Sequence, residues 1–296
     1  MIETRQLTRR FDERIAVSAL NLTVQHGEVY GFLGPNGAGK TTTLRMLLGL
    51  IKPTSGDATV LGAQPGTPDS LAKIGAMIEQ PGFYPYLSGV DNLSLLATYA
   101  GAPQSRIPAV LDQVGLSKRG RDRFSAYSQG MKQRLGLAAA LLKDPTLLIL
   151  DEPSNGLDPA GMAEMRTLIK TLASEGRTVL LSSHLLAEVE QICDRVGVIR
   201  EGVLVAEGTT DELRGSEALQ ITATPIEKAV QYLADLPGVQ IQDTDGTSIW
   251  VRTDRNKTAD LTRGIVGHGL DLTELVWRRK SLEDVFLGLT NERTAA

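Results

Sequence analysis

The feature that most constrains the fold is a glycine-rich segment, GPNGAGKT (34–41), between two apolar runs. The preceding run VYGFLG (29–34) has the pattern of a buried strand, and GKTTTLRMLLGL (39–50) has the periodicity of an amphipathic helix that ends at Gly49. Small residues in such a loop let successive backbone N–H groups and the helix N-terminus approach an anion. The sequence therefore predicts a phosphate-binding loop of the P-loop type.

The complete pattern G-x-x-x-x-G-K-T suggests a role for each position of this loop. Lys40 supplies a positive charge for the β and γ phosphates, and Thr41 supplies a hydroxyl for Mg²⁺. The predicted cofactors are accordingly ATP and Mg²⁺. The other loop residues are expected to surround the phosphate chain: Gly34, Pro35, Asn36, Gly37, Ala38, Gly39 and Thr42.

Two adjacent carboxylates end a second apolar run, TLLILDEP (146–153). Side chains alternate along a strand, and ligands of parallel α/β sheets bind at the carboxyl ends of the strands. Asp151 is therefore predicted to hold the magnesium shell, as strand-end aspartates do in P-loop ATPases. Glu152 is the predicted general base that polarises the attacking water.

Continuous apolar strands between helical segments predict an α/β fold with a mostly parallel central sheet covered on both faces. A helix-periodic stretch, broken at GAP (101–103), predicts a helical insertion subdomain over about residues 87–140. After Gly215 the order βαββαβ, followed by a closing helix SLEDVFLGLT (281–290), predicts a small ferredoxin-like α+β module. We expect a nucleotide-binding domain over 1–214 and an accessory domain over 215–296.

Composition excludes several classes of protein. With 31 Lys+Arg against 35 Asp+Glu, the net charge of -4 gives no global field for nucleic acid or anionic lipid. A single cysteine, Cys193, excludes an internal disulfide and a thiol pair for structural zinc, which indicates a reducing cytoplasm. The chain contains no run of about 18 uncharged apolar residues, so the sequence predicts neither a membrane span nor a signal peptide.

The segment YSQGMKQRL (127–135) resembles the signature sequence LSGGQ of the ATP-binding cassette (ABC) family, and the resemblance covers about residues 3–213. Ser128 and Gly130 match, whereas Gln129 stands where the family usually has a second glycine. Ser128 is placed to cap a helix whose N-terminus presents donors to an anion. The resemblance implies that this helix contacts nucleotide bound to a second ABC ATPase subunit, most simply in a homodimer.

Three further segments resemble motifs of the same family. SNGLDP resembles the D-loop, which implies that Asp158 lies at the dimer seam. His184, at the end of TVLLSSH (178–184), resembles the switch histidine that contacts the γ phosphate. Phe11 resembles the aromatic residue that stacks on adenine, with Val17 packed beside it.

The segment IGAMIEQPGFYPYL (74–87) departs from the family pattern, because Glu79 aligns with the usual glutamine and Gln80 follows one position later. The glutamate form resembles exporters of the bacitracin and lantibiotic self-immunity type. It implies that Glu79 approaches Mg²⁺ and water on one side and a membrane partner on the other. A rival alignment gives this role to Gln80.

The C-terminal eighty residues resemble the C-terminal extension of daunorubicin-resistance-type ATPases. Two roles stay open for them, namely a dimer-stabilising or regulatory platform and a purely structural cover. The whole resemblance implies an ATP-hydrolysing exporter subunit, peripheral at the cytoplasmic face of the membrane. It would act through a separate permease on a drug, an antibiotic peptide or a lipid-like substrate. The permease would dock near residues 81–93, whose Phe83, Tyr84 and Tyr86 are expected to be exposed.

Three alternatives are weighed against this interpretation. A soluble ABC-type ATPase acting on DNA or ribosomes is disfavoured by net acidity and by the 89 positions between Gly39 and Ser128, too few for a long coiled coil. A P-loop nucleoside kinase would lack the signature segment. An importer ATPase is disfavoured by the helices expected after Gly215.

Overall fold

The computed structural model describes residues 1–79, 82–215, 217–279 and 281–283. They form two compact units, one ending at Thr210 and the other beginning at Asp211. Gln80 and the greater part of the predicted closing helix lie outside the described residues.

The first unit is built on a six-stranded sheet in the order β5-β6-β7-β3-β8-β9. Neighbouring strands are parallel except for the last, β9, which is antiparallel to β8. Strands β3, β6 and β7 are buried along their whole length, which explains their uninterrupted apolar sequences. The prediction of a mostly parallel central sheet is confirmed. Its strands are β3 (Val29–Leu33), β5 (Ile74–Met77), β6 (Leu147–Asp151), β7 (Thr178–Ser183), β8 (Arg195–Arg200) and β9 (Val203–Thr209).

A three-stranded antiparallel sheet, β2-β1-β4, packs against this unit's core and was not predicted from the sequence. The β1–β2 pairing contains register shifts, for example between Thr4 and Leu7, so the polar/apolar alternation is interrupted. Its side chains share one hydrophobic cluster with β3 and the first helix. The strands are β1 (Ile2–Phe11), β2 (Arg14–Val24) and β4 (Ser55–Val60).

Helices surround the central sheet and also form the predicted insertion. Within the insertion, α3 begins at a capping box made by Ser88 and Asp91 and ends at Gly101, whose φ of 65° suits glycine. The break expected at 101–103 therefore separates two helices. The helices of the first unit are α1 (Lys40–Leu47), α2 (Pro68–Leu71), α3 (Gly89–Ala100), α4 (Arg106–Gln113), α5 (Gln129–Leu141), α6 (Pro159–Ser174) and α7 (Leu186–Ile192). A short helix, α8 (Thr210–Arg214), follows at the boundary between the two units.

The second unit has a four-stranded antiparallel sheet in the order β11-β12-β10-β13. Taken along the chain, its strands and helices follow the order βαββαβ, so the predicted ferredoxin-like arrangement is confirmed for the described residues. Two amphipathic helices bury Leu233 and Ile265 against the sheet. The elements are β10 (Ala218–Thr224), α9 (Ile226–Ala234), β11 (Gln240–Thr244), β12 (Ile249–Arg252), α10 (Thr258–Gly267) and β13 (Asp271–Arg278).

Candidate nucleotide-binding and hydrolysis site

The glycine-rich loop turns sharply between β3 and α1. Gly39 has a φ of 110°, and a Cβ atom there would lie 2.4 Å from the carbonyl oxygen of Ala16. At Gly34 a Cβ atom would lie 2.3 Å from the carbonyl oxygen of Ile199. Both glycines are therefore required by close backbone packing, and they let the loop backbone turn closely enough to surround an anion.

The loop forms the floor of a cavity of about 370 Å³. Phe11 borders it and is 42% exposed, so an aromatic surface is present at the edge of the cavity. Val17 is instead fully buried, and its Cγ2 atom would lie 3.2 Å from a Cβ atom placed on Gly39. Ala38 is buried as well. The cavity is lined by Phe11, Arg14, Ala16, Pro35, Asn36, Gly37, Gly39, Lys40, Thr41, Thr42 and Glu152.

Lys40 places a positive charge at the base of the cavity, and its side chain is only 6% exposed. Its ammonium group donates to the carbonyl oxygen of Gly34 at 2.6 Å and lies 3.1 Å from Oε1 of Glu152. The second carboxylate oxygen, Oε2 of Glu152, lies 2.8 Å from Nδ1 of His184. The structure thus joins three predicted site residues in one chain of polar contacts.

Asp151 lies beside this chain and is buried at the end of β6. The hydroxyl of Thr41 donates to Oδ2 of Asp151 at 2.7 Å. The Ser182 hydroxyl donates to the other oxygen, Oδ1, and accepts the backbone N–H of Glu152 at 3.0 Å. Ser182 was missed in the sequence analysis, because its place opposite Asp151 on the neighbouring strand β7 depends on the strand order of the folded sheet.

The backbone at Glu152 is strained, since its φ of 48° lies in the left-handed region, which is unfavourable for a residue with a side chain. The hydrogen bond from its N–H to Ser182 helps to hold this conformation. Such local strain is characteristic of residues whose side chain must be aimed at a reacting group.

Glu79 lies apart from these contacts. Its carboxylate is 62% exposed and forms an ion pair with Arg45 of α1. The structure does not place Glu79 among the residues that line the nucleotide cavity.

The signature residues border a different cavity, of about 560 Å³. Ser128 caps α5 by accepting the N–H of Met131 at 3.3 Å, and Asp158 caps α6 by accepting the N–H of Gly161 at 2.9 Å. Among the described residues, the two cavities share no lining residue. The structure therefore brings Ser128, Gln129, Gly130 and Asp158 together, but away from the glycine loop of the same chain.

The segment after Glu79 exposes two of the three expected aromatic residues. Tyr84 and Tyr86 are 46% and 66% exposed, and their ring centroids lie 5.7 Å apart. Phe83 is half-buried against Phe124, with ring centroids 5.1 Å apart, so the expectation that it is exposed was wrong.

The fold and this arrangement define a P-loop ATPase with a separate capped signature helix. No helix within the described ranges is long and apolar enough to cross a membrane. A family model described as "ABC transporter" matches residues 17–155.

Two relatives extend the match beyond these residues. The bacitracin transport ATP-binding protein BcrA of Bacillus licheniformis is 42% identical over 98% of this chain and 97% of its own length. The lantibiotic transport ATP-binding protein SrtF of Streptococcus pyogenes is 42% identical over 74% of this chain and 94% of its own length.

Among solved structures, a dimeric ATP-binding cassette in a post-hydrolysis state bound to ADP and Pi is 25% identical, with a TM-score of 0.63. The match covers 71% of this chain and 98% of that one. The chain belongs to the ABC transporter family, as an ATP-binding subunit. It binds and hydrolyses ATP, and its membership of this family excludes the nucleoside-kinase alternative.

Proposed function

We propose that this ATPase subunit drives the export of an antibiotic peptide, a drug or a lipid-like compound through a separate membrane permease. The observation that carries the proposal is its 42% identity, over nearly its whole length, to a protein named for bacitracin transport. The relative named for lantibiotic transport supports the same class of cargo.

In the proposed reaction, the β and γ phosphates of ATP take Lys40 away from Glu152. The freed carboxylate accepts a proton from water, while the water oxygen bonds to the γ phosphorus and the bond to the bridging oxygen of ADP breaks. His184, already 2.8 Å from Glu152, would hold the carboxylate in position and contact the γ phosphate. Phe11 would stack on the adenine.

Thr41 and Asp151 are the proposed protein ligands of Mg²⁺. Their side-chain oxygens are 2.7 Å apart and are the hard donors that this ion prefers. No group of three or more histidine, cysteine or acidic residues in the described parts of the chain could form an all-protein metal cage, and Mg²⁺ usually binds one or two carboxylates plus phosphates. When bound, the ion would neutralise charge on the phosphates.

Glu79 is proposed as an additional group near Mg²⁺ and the attacking water. To act there, its carboxylate must first leave Arg45. Because this ion pair is largely solvent-exposed, breaking it costs little, typically below about 1 kcal/mol. The rival residue for this role is Gln80.

Two copies of the chain would form the complete site, with each signature helix covering the nucleotide on the other copy. The separation of the signature cavity from the glycine loop within one chain supports this proposal. ATP-bound Glu152→Gln should be dimeric by light scattering. A monomer at saturating ATP would contradict the composite site.

The permease would contact the exposed Tyr84 and Tyr86, just before the insertion, and the subunit would then lie peripherally at the cytoplasmic face of the membrane. For the C-terminal unit we propose a dimer-stabilising or regulatory platform. Deletion of residues 216–296 should then alter dimerisation or ATPase activity. If both stay unchanged, the platform role is contradicted and a purely structural role for this unit is favoured.

The export proposal is tested by expressing the chain together with its neighbouring open reading frames in a bacitracin-sensitive bacterium. The inhibitory concentration of bacitracin, and of a lantibiotic in parallel, is expected to rise for the wild type and to stay at the vector level for Glu152→Gln. Equal susceptibility of wild type and vector to both compounds would contradict peptide export. Co-purification with ribosomes or DNA instead would favour the soluble ABC ATPase.

A further inference from the structure

The tight turn between β1 and β2 places a second side chain beside the aromatic residue of the nucleotide cavity. Phe11 and Arg14 are direct partners in the antiparallel register, separated by the turn residues 12–13. Directly opposed residues of an antiparallel pair project to the same face of the sheet. Both side chains accordingly line the cavity.

The guanidinium of Arg14 reaches from this hairpin to the phosphate-binding loop. Its Nη2 atom lies 3.4 Å from the carbonyl oxygen of Gly37 and would lie 3.6 Å from a Cβ atom placed there. Arg14 therefore bridges the aromatic end of the cavity and the loop. A nucleotide with its base on Phe11 and its terminal phosphates at Lys40 must pass this guanidinium.

The neighbouring arginines of the same hairpin are engaged elsewhere. Arg9 lies over the ring of Phe11, with its guanidinium carbon 4.3 Å from the ring centroid. Arg10 lies 3.5 Å from the carboxylate of Glu13. Arg14, by contrast, has no carboxylate partner among the described residues, so its charge is available to an anionic ligand in the cavity.

We infer that Arg14 is a further nucleotide-binding residue, which contacts the phosphates nearest the nucleoside. This inference rests on the proposed placement of the base on Phe11 and the terminal phosphates at Lys40. A guanidinium is charged throughout the physiological pH range and matches phosphate oxygens with paired donors. Arg14 contributes binding energy along the polyphosphate, whereas Lys40 acts at its far end.

The test is equilibrium binding of ADP to the full-length chain and its Arg14→Gln variant, with Arg10→Gln as the matched control on the same hairpin. Arg14→Gln is expected to raise the ADP dissociation constant about tenfold and to make it less dependent on salt, because one ionic contact is lost. Arg14→Lys should recover part of the affinity. The control should bind as the wild type does.

Wild-type ADP affinity and salt dependence in Arg14→Gln would overturn the inference. An equal loss in Arg10→Gln would also overturn it, since the effect would then be a general one of hairpin charge. The Lys40→Ala and Phe11→Ala variants show whether a negative result concerns the proposed placement of the nucleotide or only the role of Arg14. If both bind ADP normally, the proposed placement of the nucleotide is wrong, whereas a loss in these two with normal binding by Arg14→Gln sinks only the role of Arg14.

Discussion

Replacing Glu152 by glutamine is expected to tighten the binding of ATP as well as to abolish its hydrolysis. Lys40 lies 3.1 Å from the carboxylate of Glu152, so the phosphates must displace this carboxylate before they gain the ammonium group. Glutamine keeps the size of the side chain but removes its charge. The change therefore removes both the competition for Lys40 and the repulsion between Glu152 and the phosphates.

The size of the effect follows from the distance and the burial of the pair. At 3.1 Å and an effective dielectric constant of about 20, the Coulomb attraction is about 5 kcal/mol. The net difference is much smaller, because the carboxylate gains hydration when released and Lys40 keeps its 2.6 Å hydrogen bond to Gly34. We expect about 1.4 kcal/mol, equivalent to a tenfold lower dissociation constant.

The assay is equilibrium titration of a fluorescent ATP analogue into dilute protein without Mg²⁺, so that hydrolysis and dimer closure do not contribute. Glu227→Gln, an exposed position on α9, is the matched control for the change in net charge and should bind as the wild type does. If Glu152→Gln binds no more tightly than the wild type, competition between carboxylate and phosphate for Lys40 is refuted.

Three further predictions concern stability and reactivity. Gly39→Ala should lower the free energy of unfolding in urea by at least about 2 kcal/mol, because its Cβ would lie 2.4 Å from the Ala16 carbonyl oxygen at a φ of 110°. Burial raises the pKa of the Cys193 thiol well above its ordinary value, so a thiol reagent should label it rapidly only in the unfolded chain. A hydrogen bond from Arg177 lowers the pKa of the Asp144 carboxyl. Asp144→Asn should therefore be less stable than the wild type above about pH 4, and this difference should shrink as the pH falls through the lowered pKa.

Each of these predictions has its own control. Gly62→Ala has a φ of 77° but no atom within 4 Å of the added Cβ, so a cost equal to that of Gly39→Ala would refute the clash. Rapid labelling of Cys193 in the native chain would contradict its burial. A stability difference for Asp144→Asn that persists unchanged at the lowest pH at which the chain is folded would contradict the charged interaction.

Local signals were sufficient for the phosphate loop and most of the elements. The pattern from Val29 to Leu47 required only that an apolar strand, a glycine turn and a helix follow one another, and these are near-neighbour properties. The same holds for the caps, since Ser128 is followed directly by the α5 helix that it caps. For the C-terminal unit, alternating short strands and helices predicted the order observed in residues 218–278.

The antiparallel sheet and the exposure of the aromatic residues could be predicted less well from the sequence. Register shifts in β1 disturb the alternation on which strand prediction depends, and the register that brings Arg14 beside Phe11 is visible only once the hairpin is formed. Phe83 and its neighbour Tyr84 are equally aromatic in sequence. Packing against Phe124 removes only Phe83 from the expected exposed set.

The phosphate-binding loop, the carboxylate pair and the capped signature helix could all be predicted from the sequence, because each depends on residues adjacent in the chain. That β6, β7 and β3 are neighbours in the central sheet became visible only in the folded chain. That order brings Lys40, Glu152 and His184 into contact across 144 positions (184 − 40) of sequence. The physical reason is that strand order follows from burying apolar faces throughout the domain, which no local pattern encodes.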